Sequence, residues 1–359
     1  MTSVPPPPSL PASPVFSRPY APSWLEWFIA RIKRLPFPVW VSFIGLGIVV
    51  FALVTAIKWL DGAYPVGTFY PTHAALAAVA VAILGVTHAI DDVGKRALRD
   101  MRPALIVDQH EYQLLAYQLT TIPARPGLLA SLIGVAVLIV WLLYDGPTGL
   151  FRNLKFFTSS LATVVDGLLL GFVFAGLGVA VYASLNMLRL MSHIYAHYVQ
   201  IDLFHPIPIY AFSRVSAFLA LSITFTEYLW LAASPSVLSS LSGLAFAILV
   251  PVLGGIVFVV PLLGIHRELV DEKARRKAAI AYCMDEAILK LQRHVRSNQL
   301  ADLSAIHTTI QALNLAEQRL DRIPTWPWHP DTPRLVVPAL LMPFLLWLIQ
   351  RLLGRFVGS

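Results

Sequence analysis

Seven stretches of the chain are almost uninterruptedly apolar, at about Val39 to Leu60, Ala74 to Ile90, Leu128 to Tyr144, Val165 to Met187, Phe212 to Ala233, Leu244 to Ile265 and Leu335 to Leu353. Each is close to the roughly 20 helical residues needed to cross the hydrocarbon core of a bilayer. The pattern predicts an all-α, polytopic membrane protein with about seven transmembrane helices, or six if the last run is re-entrant.

Where the apolar runs stop, the periodicity changes. From His266 to about Arg296 apolar residues fall at Val270, Ala274, Ala281, Met284, Ile288, Leu291 and Val295, a heptad-like spacing that predicts one helix running straight out of the sixth span. After Ser297, Asn298 and Gln299 a second set, Leu303, Ile306, Ile310, Leu313 and Leu320, predicts a returning helix. Together they read as an antiparallel hairpin whose outgoing arm projects roughly 45 Å at 1.5 Å per residue. The stretch IPTWPWHPDTP, with four prolines and two tryptophans, then hands the chain to the seventh span at a membrane interface. The fourth span overruns in the same way as MLRLMSHIYAHYVQIDLF, up to Pro206 and Pro208.

The resulting plan has five parts. Residues 1–23 form a proline-rich tail, expected to be disordered and without the apolar core of a signal peptide. Residues 24–38 carry Trp24, Leu25, Trp27, Phe28 and Ile32 among Arg31, Lys33 and Arg34, which suits a short interfacial helix. Residues 39–265 hold six spans and their extensions, 266–322 the hairpin, and 323–359 the linker and seventh span. One further helix is expected within 91–125, with Asp91 and Asp92 at its positive N-terminal end.

Charge orients this plan. All but five of the 27 basic residues fall on one side of the alternating spans, the exceptions being Lys58, Arg152, Lys155, Arg351 and Arg355. By the positive-inside bias the N-terminus and the hairpin are cytoplasmic and the C-terminus lies on the opposite side. With 57% hydrophobic and only 13% charged residues and mean hydropathy +0.68, a water-soluble fold is excluded. Cys283 is the single cysteine, so no disulfide can form within one chain.

Candidate chemistry is sparse. Within the runs Glu227 is the one clearly charged side chain well inside a span, and an ionisable group there faces protein or a water-filled cavity by default. With Thr224 and Thr226 it is the candidate ion or ligand pathway; the other reading is a paired or outward-snorkelling carboxylate. Pro251, Gly254, Gly255 and Pro261 in the sixth span, and Pro338 and Pro343 in the seventh, weaken helices and are candidate hinges of a gate, though both residue types are common in membrane helices. Gly167 and Gly171 form a small-xxx-small packing face, continued by Gly176 and Gly178. His193, His197 and His205 are weak metal candidates, since HIYAH lacks the glutamate of HExxH. DDVGKRALRD has no second acidic motif to complete a Mg²⁺ and diphosphate site. No catalytic residue and no cofactor are assigned.

With its inside N-terminus, extended fourth and sixth spans (LRLMSHIYAHYV and HRELVDEKARRKAAIAYCMDEAILKL), returning helix (ADLSAIHTTIQALNLAEQRLDRI) and final span (RLVVPALLMPFLLWLIQ), the chain resembles the insect odorant and gustatory receptor type of seven-helix channel over residues 39 to 353. The resemblance implies tetramers with assembled cytoplasmic helices, a pore lined by the last helix, and ligands held among the outer halves of the others. The tyrosine-containing motif of that family's last helix is absent, and LVVPALLMPF is apolar where cations would pass.

Three functions follow as expectations. The first is a gated ion channel or membrane receptor with the hairpin coupled to spans six and seven. The second is a non-catalytic accessory or scaffold subunit, whose spans are bland because packing is their task. The third is a transporter or intramembrane enzyme. Expected partners are the lipid bilayer and either further copies or other membrane subunits, not nucleic acid.

Overall fold

A computed structural model describes residues 19–145, 156–199, 207–233, 241–296, 303–329 and 331–357. Most of the proline-rich tail, and His205, lie outside the described residues. Among the latter there are ten α-helices: α1 (Trp24–Ile32), α2 (Val39–Leu60), α3 (Pro71–Met101), α4 (Gln109–Thr120), α5 (Ala124–Asp145), α6 (Ser160–Tyr198), α7 (Ile207–Ala233), α8 (Leu241–Arg296), α9 (Leu303–Arg322) and α10 (Asp331–Val357). Among the described residues extended pairing is limited to isolated bridges at Pro22–Pro123 and Leu105–Val199. Seven helices, α2, α3, α5, α6, α7, α8 and α10, are long and apolar enough to cross a membrane, which points to an integral membrane protein.

Helix α3 is the hub, packing against α2, α4, α6 and α7. Its buried face sets the small residues Ala75, Ala77, Ala80, Gly94 and Ala97, which let neighbouring backbones come close, among larger ones such as Leu76, Ile83, Leu84 and Leu98. More than half of its most apolar stretch is buried, against almost none of that in α10, which lies at the periphery on α7 and α8. Helices α5 and α6 meet backbone to backbone at Gly134 and Gly178. A Cβ on Gly134 would run into the Phe174 carbonyl, and one on Gly178 into that of Ala130. Nothing among the described residues fills the space next to Gly167 or Gly171.

Asp91 and Asp92 do not cap a helix. They lie two-thirds of the way along α3, because GVTHAIDDVGKRALRDM holds no proline and its one interior glycine, Gly94, packs under Met187 and Leu119 rather than breaking the helix. The added helix is α4, capped by Asp108, whose side chain accepts the Glu111 N–H at 2.6 Å. Helix α1 is shorter than the stretch 24–38 and is seated on α5: Leu25 and Ile29 are buried, and Trp24 Nε1 donates to Ser131 Oγ at 2.8 Å.

Helix α8 runs unbroken for 56 residues, through Pro251 and Pro261. Helix α9 returns along it: Lys273 Nζ donates to the carbonyls of Asp321 (2.9 Å) and Ile323 (2.8 Å), and Lys277 pairs with Asp321. The buried side of this part of α8 carries Leu269 and Ala287, while Val270, Ala274, Ala281, Ile288 and Val295, five of the seven residues of the heptad-like set, stay exposed. At the root of the hairpin four rings stack in series. His266 lies on Trp326 (4.2 Å between centroids), Trp326 on Trp328 (4.4 Å) and Trp328 on Phe258 (5.6 Å).

Candidate functional site

Among the described residues acidic and basic side chains are buried at two places in the transmembrane bundle, and these differ in whether their hydrogen-bonding capacity is met. The first lies at the end of the bundle away from the hairpin. Lys58, on the last turn of α2, places Nζ 2.7 Å from Asp166 Oδ2 on the second turn of α6. The same oxygen accepts the Phe157 N–H at 2.9 Å, and Oδ1 meets His73 Nε2 of α3 at 3.2 Å. His73 Nδ1 lies 2.9 Å from the hydroxyl of Tyr64, in the α2–α3 connection. Phe156 stacks on the His73 ring at 4.4 Å, and Lys58 Nζ stands 5.1 Å over the Tyr64 ring. Lys58, Tyr64, His73 and Asp166 are all at most 3% exposed.

Local sequence explains the assembly. Asp61 ends α2 and bonds Ser159, which caps α6 by accepting from the Ala162 N–H, so the starts of α3 and α6 are drawn to the end of α2. With Asp166 acting as acceptor, the network assigns a proton to His73 Nε2 and leaves Nδ1 to accept from Tyr64. Burial, and then the Asp166 charge, push the Tyr64 phenol above its ordinary range, which keeps it a neutral donor. Every charge here is matched, so the cluster suits a clamp that joins three spans better than a site awaiting a ligand. Lys58, His73 and Asp166 did not stand out in the sequence because each lies within two turns of a span end. The available signal was that three ionisable residues of complementary character share one depth.

Glu227 marks the second place, and it is the reverse case. It is 4% exposed, and neither carboxylate oxygen has a hydrogen-bond partner among the described residues. It continues the buried face of α7 formed by Ser213, Ser216, Ala220 and Thr224. Thr224 and Thr226 do not serve it: their hydroxyls donate to the carbonyls of Ala220 (3.0 Å) and Ser222 (2.9 Å) of their own helix. An isolated ionised carboxylate in an apolar interior costs several kcal/mol. The site therefore suits a carboxylic acid, or a carboxylate matched by an incoming cation.

Deformable residues adjoin it. Gly254 of α8 packs so closely on α7 that a Cβ there would stand 3.3 Å from Thr224 Oγ1 and 3.0 Å from Leu340 of α10; Gly255 also faces Leu340. The next residue of α7, Tyr228, donates its hydroxyl to the Ala339 carbonyl, directly after Pro338 in α10. Pro251 is buried in α8 one turn before Gly254, Pro261 lies two turns beyond it, and Pro343 follows in α10. The structure thus brings Glu227, Thr224, Gly254 and the Pro338 turn to one junction of α7, α8 and α10.

The histidine candidates are elsewhere. His193 and His197 stack at 4.3 Å on an exposed face near the end of α6, and His197 Nδ1 lies 3.1 Å from the His193 carbonyl. Among the described residues no group of three metal-ligating side chains converges. No protein-family model, no curated protein and no solved structure matches the chain.

Proposed function

We propose that the protein is a membrane receptor or gated channel in which Glu227 takes up a proton or metal cation and α8 carries the response to the hairpin. The observation that carries this reading is the buried carboxylate of Glu227, without a partner among the described residues, at the junction of α7 with α8 and α10. A change of charge there alters the balance between desolvation and contact at the Gly254 crossing. Helix α8 is continuous from that crossing to the hairpin, and the ring stack from Phe258 to His266 ties the returning chain to it. In this proposal the hairpin and N-terminus are cytoplasmic, following the basic residues. A conducting form would need several copies, as in the insect receptor type, because α10 of one chain is apolar from Leu335 to Ile349.

The exposed single cysteine, Cys283, provides the test. A spin label there, with the protein in lipid nanodiscs, reports hairpin mobility across pH 5 to 9 and with Na⁺, K⁺ or Ca²⁺. The expected outcome is a change in line shape in the parent protein that is absent in Glu227→Gln. An unresponsive parent protein under all these conditions rejects the reading.

A specific observation favours the accessory-subunit alternative. Ala274, Ala281, Ile288 and Val295 are exposed at intervals of seven on α8, beyond the apolar run, and form a seam that α9 leaves uncovered. In that reading the hairpin is a docking arm, and gently solubilised protein co-purifies with foreign membrane chains in fixed stoichiometry.

A further inference from the structure

A trough runs down one side of the bundle between α2 and α7, with α3 as its floor. Two contiguous hollows, of about 440 and 390 Å³, make it up, and they share Ile44, Val81, Ala82 and Phe225. The floor is small, at Ala78, Ala82, Gly85 and Ala89, and the walls are large, with Trp40 and Ile44 on one side and Phe218 and Phe225 on the other. From Ala74 to Ala89 the trough is roughly 22 Å long at 1.5 Å per residue.

At the hairpin end the trough reaches charge. Ala89 and Phe43 line it there, and the Phe43 ring meets His88 edge-on at 6.2 Å. His88 Nδ1 is buried without a hydrogen-bond partner among the described residues, while its Nε2 stands 4.0 Å from Asp92. Lys33, after α1, and Lys95, one turn beyond Asp91 in α3, are both exposed and both act electrostatically on His88 and Asp91. The two segments that meet here, 26–34 and 91–99, carry six basic residues against three acidic ones.

We propose that this trough holds one acyl chain of an anionic phospholipid whose phosphate lies against Lys33 and Lys95. Size selects the occupant. A transmembrane helix is at least about 10 Å across, so a 22 Å length of one fills roughly 1,700 Å³, about twice the space available, whereas an extended hydrocarbon chain fits. Charge selects the headgroup, since net positive charge at the mouth of the trough adds attraction for an anion that a zwitterionic lipid lacks. Within a bilayer, lipid is also the solvent that already surrounds this face.

Native mass spectrometry of the full chain, released from mixed phosphatidylglycerol and phosphatidylcholine micelles, tests this. The parent protein is expected to retain one phosphatidylglycerol in strong preference to phosphatidylcholine. Lys33→Gln with Lys95→Gln is expected to lower that preference by up to about thirtyfold. Gly85→Leu fills the floor, and because nothing lies within 4 Å of a Cβ there, it is compatible with folding; it is expected to remove retention of either lipid. Ala82→Leu provides a second block at a different depth. If the lysine changes act while both leucine variants retain lipid as before, a superficial basic patch explains the binding and the proposal fails. If the leucine variants change the oligomeric state without changing lipid retention, the trough is a protein interface and the proposal also fails.

Discussion

Lys58 and Asp166, 108 residues apart in sequence, lie 2.7 Å from one another with neither side chain exposed. Either charge alone would be costly to bury, and in the pair each compensates the other. Asp166 also holds the Phe157 N–H and His73, so its loss would orphan three donors at once. Lys58→Met or Asp166→Asn alone is expected to destabilise the fold by roughly 3–5 kcal/mol, because the remaining charge is left buried and uncompensated. The double variant is expected to cost less than the sum by about 1–3 kcal/mol. Unfolding of the four proteins of this cycle in mixed micelles measures both quantities.

At the α5–α6 crossing, Gly134 and Gly178 each face a carbonyl with no room for a Cβ. Gly178→Ala is expected to force the helices apart and cost roughly 1–3 kcal/mol, as overpacking does elsewhere. Gly171→Ala, on an open face of the same helix, is expected to have little effect. Thermal denaturation of the two variants side by side checks the contrast.

Glu26 ties α1 to the α4–α5 corner by accepting the Ile122 N–H, while Ser23 N donates to the Ile122 carbonyl at 2.9 Å. Burial, opposed by the Ile122 N–H, raises the Glu26 carboxyl from 4.5 to about 7. Because the seated form holds the proton more tightly, this contribution to seating is fully present below about pH 4.5 and is lost as pH rises through about 7. Proteolysis at the α1 boundary is therefore expected to quicken from pH 5 to pH 8, and Glu26→Gln is expected to flatten that dependence.

Glu227 is expected to be retained at a cost in stability. Replacing a buried polar group that lacks a partner by an apolar one of similar size removes a desolvation penalty, so Glu227→Leu is expected to raise the melting temperature while abolishing the response of Cys283 spin label. A lowered melting temperature would mean that Glu227 is satisfied in the membrane by a partner such as bound water, and that its role is structural.

Much of the fold was legible in the sequence because the bilayer imposes one strong rule. Apolar runs of about 20 residues must be helical, since only an internally bonded backbone is tolerated in hydrocarbon. The outgoing and returning arms of the hairpin follow as directly from their three- and four-residue spacing. Which face of α8 meets α9 was less accessible: alanine and valine at 270, 274 and 281 are compatible with either side, and Lys273 and Lys277 take the contact through hydrogen bonds and an ion pair that hydropathy does not register.

Sequence alone determined the class of the protein, the positions of its apolar runs and the presence of a carboxylate, Glu227, inside one of them, because each depends on residue character within one segment. The tertiary structure decided that Lys58, Tyr64, His73 and Asp166 form one matched cluster, that Gly178 rather than Gly167 makes the close approach, and that Gly254 and Leu340 adjoin the Glu227 face. Those relations depend on how helices distant in sequence are rotated and set in depth against one another. Rotation and depth are fixed by side-chain packing between spans, on which the hydrophobic pattern of a single span, apolar on every side, carries almost no information.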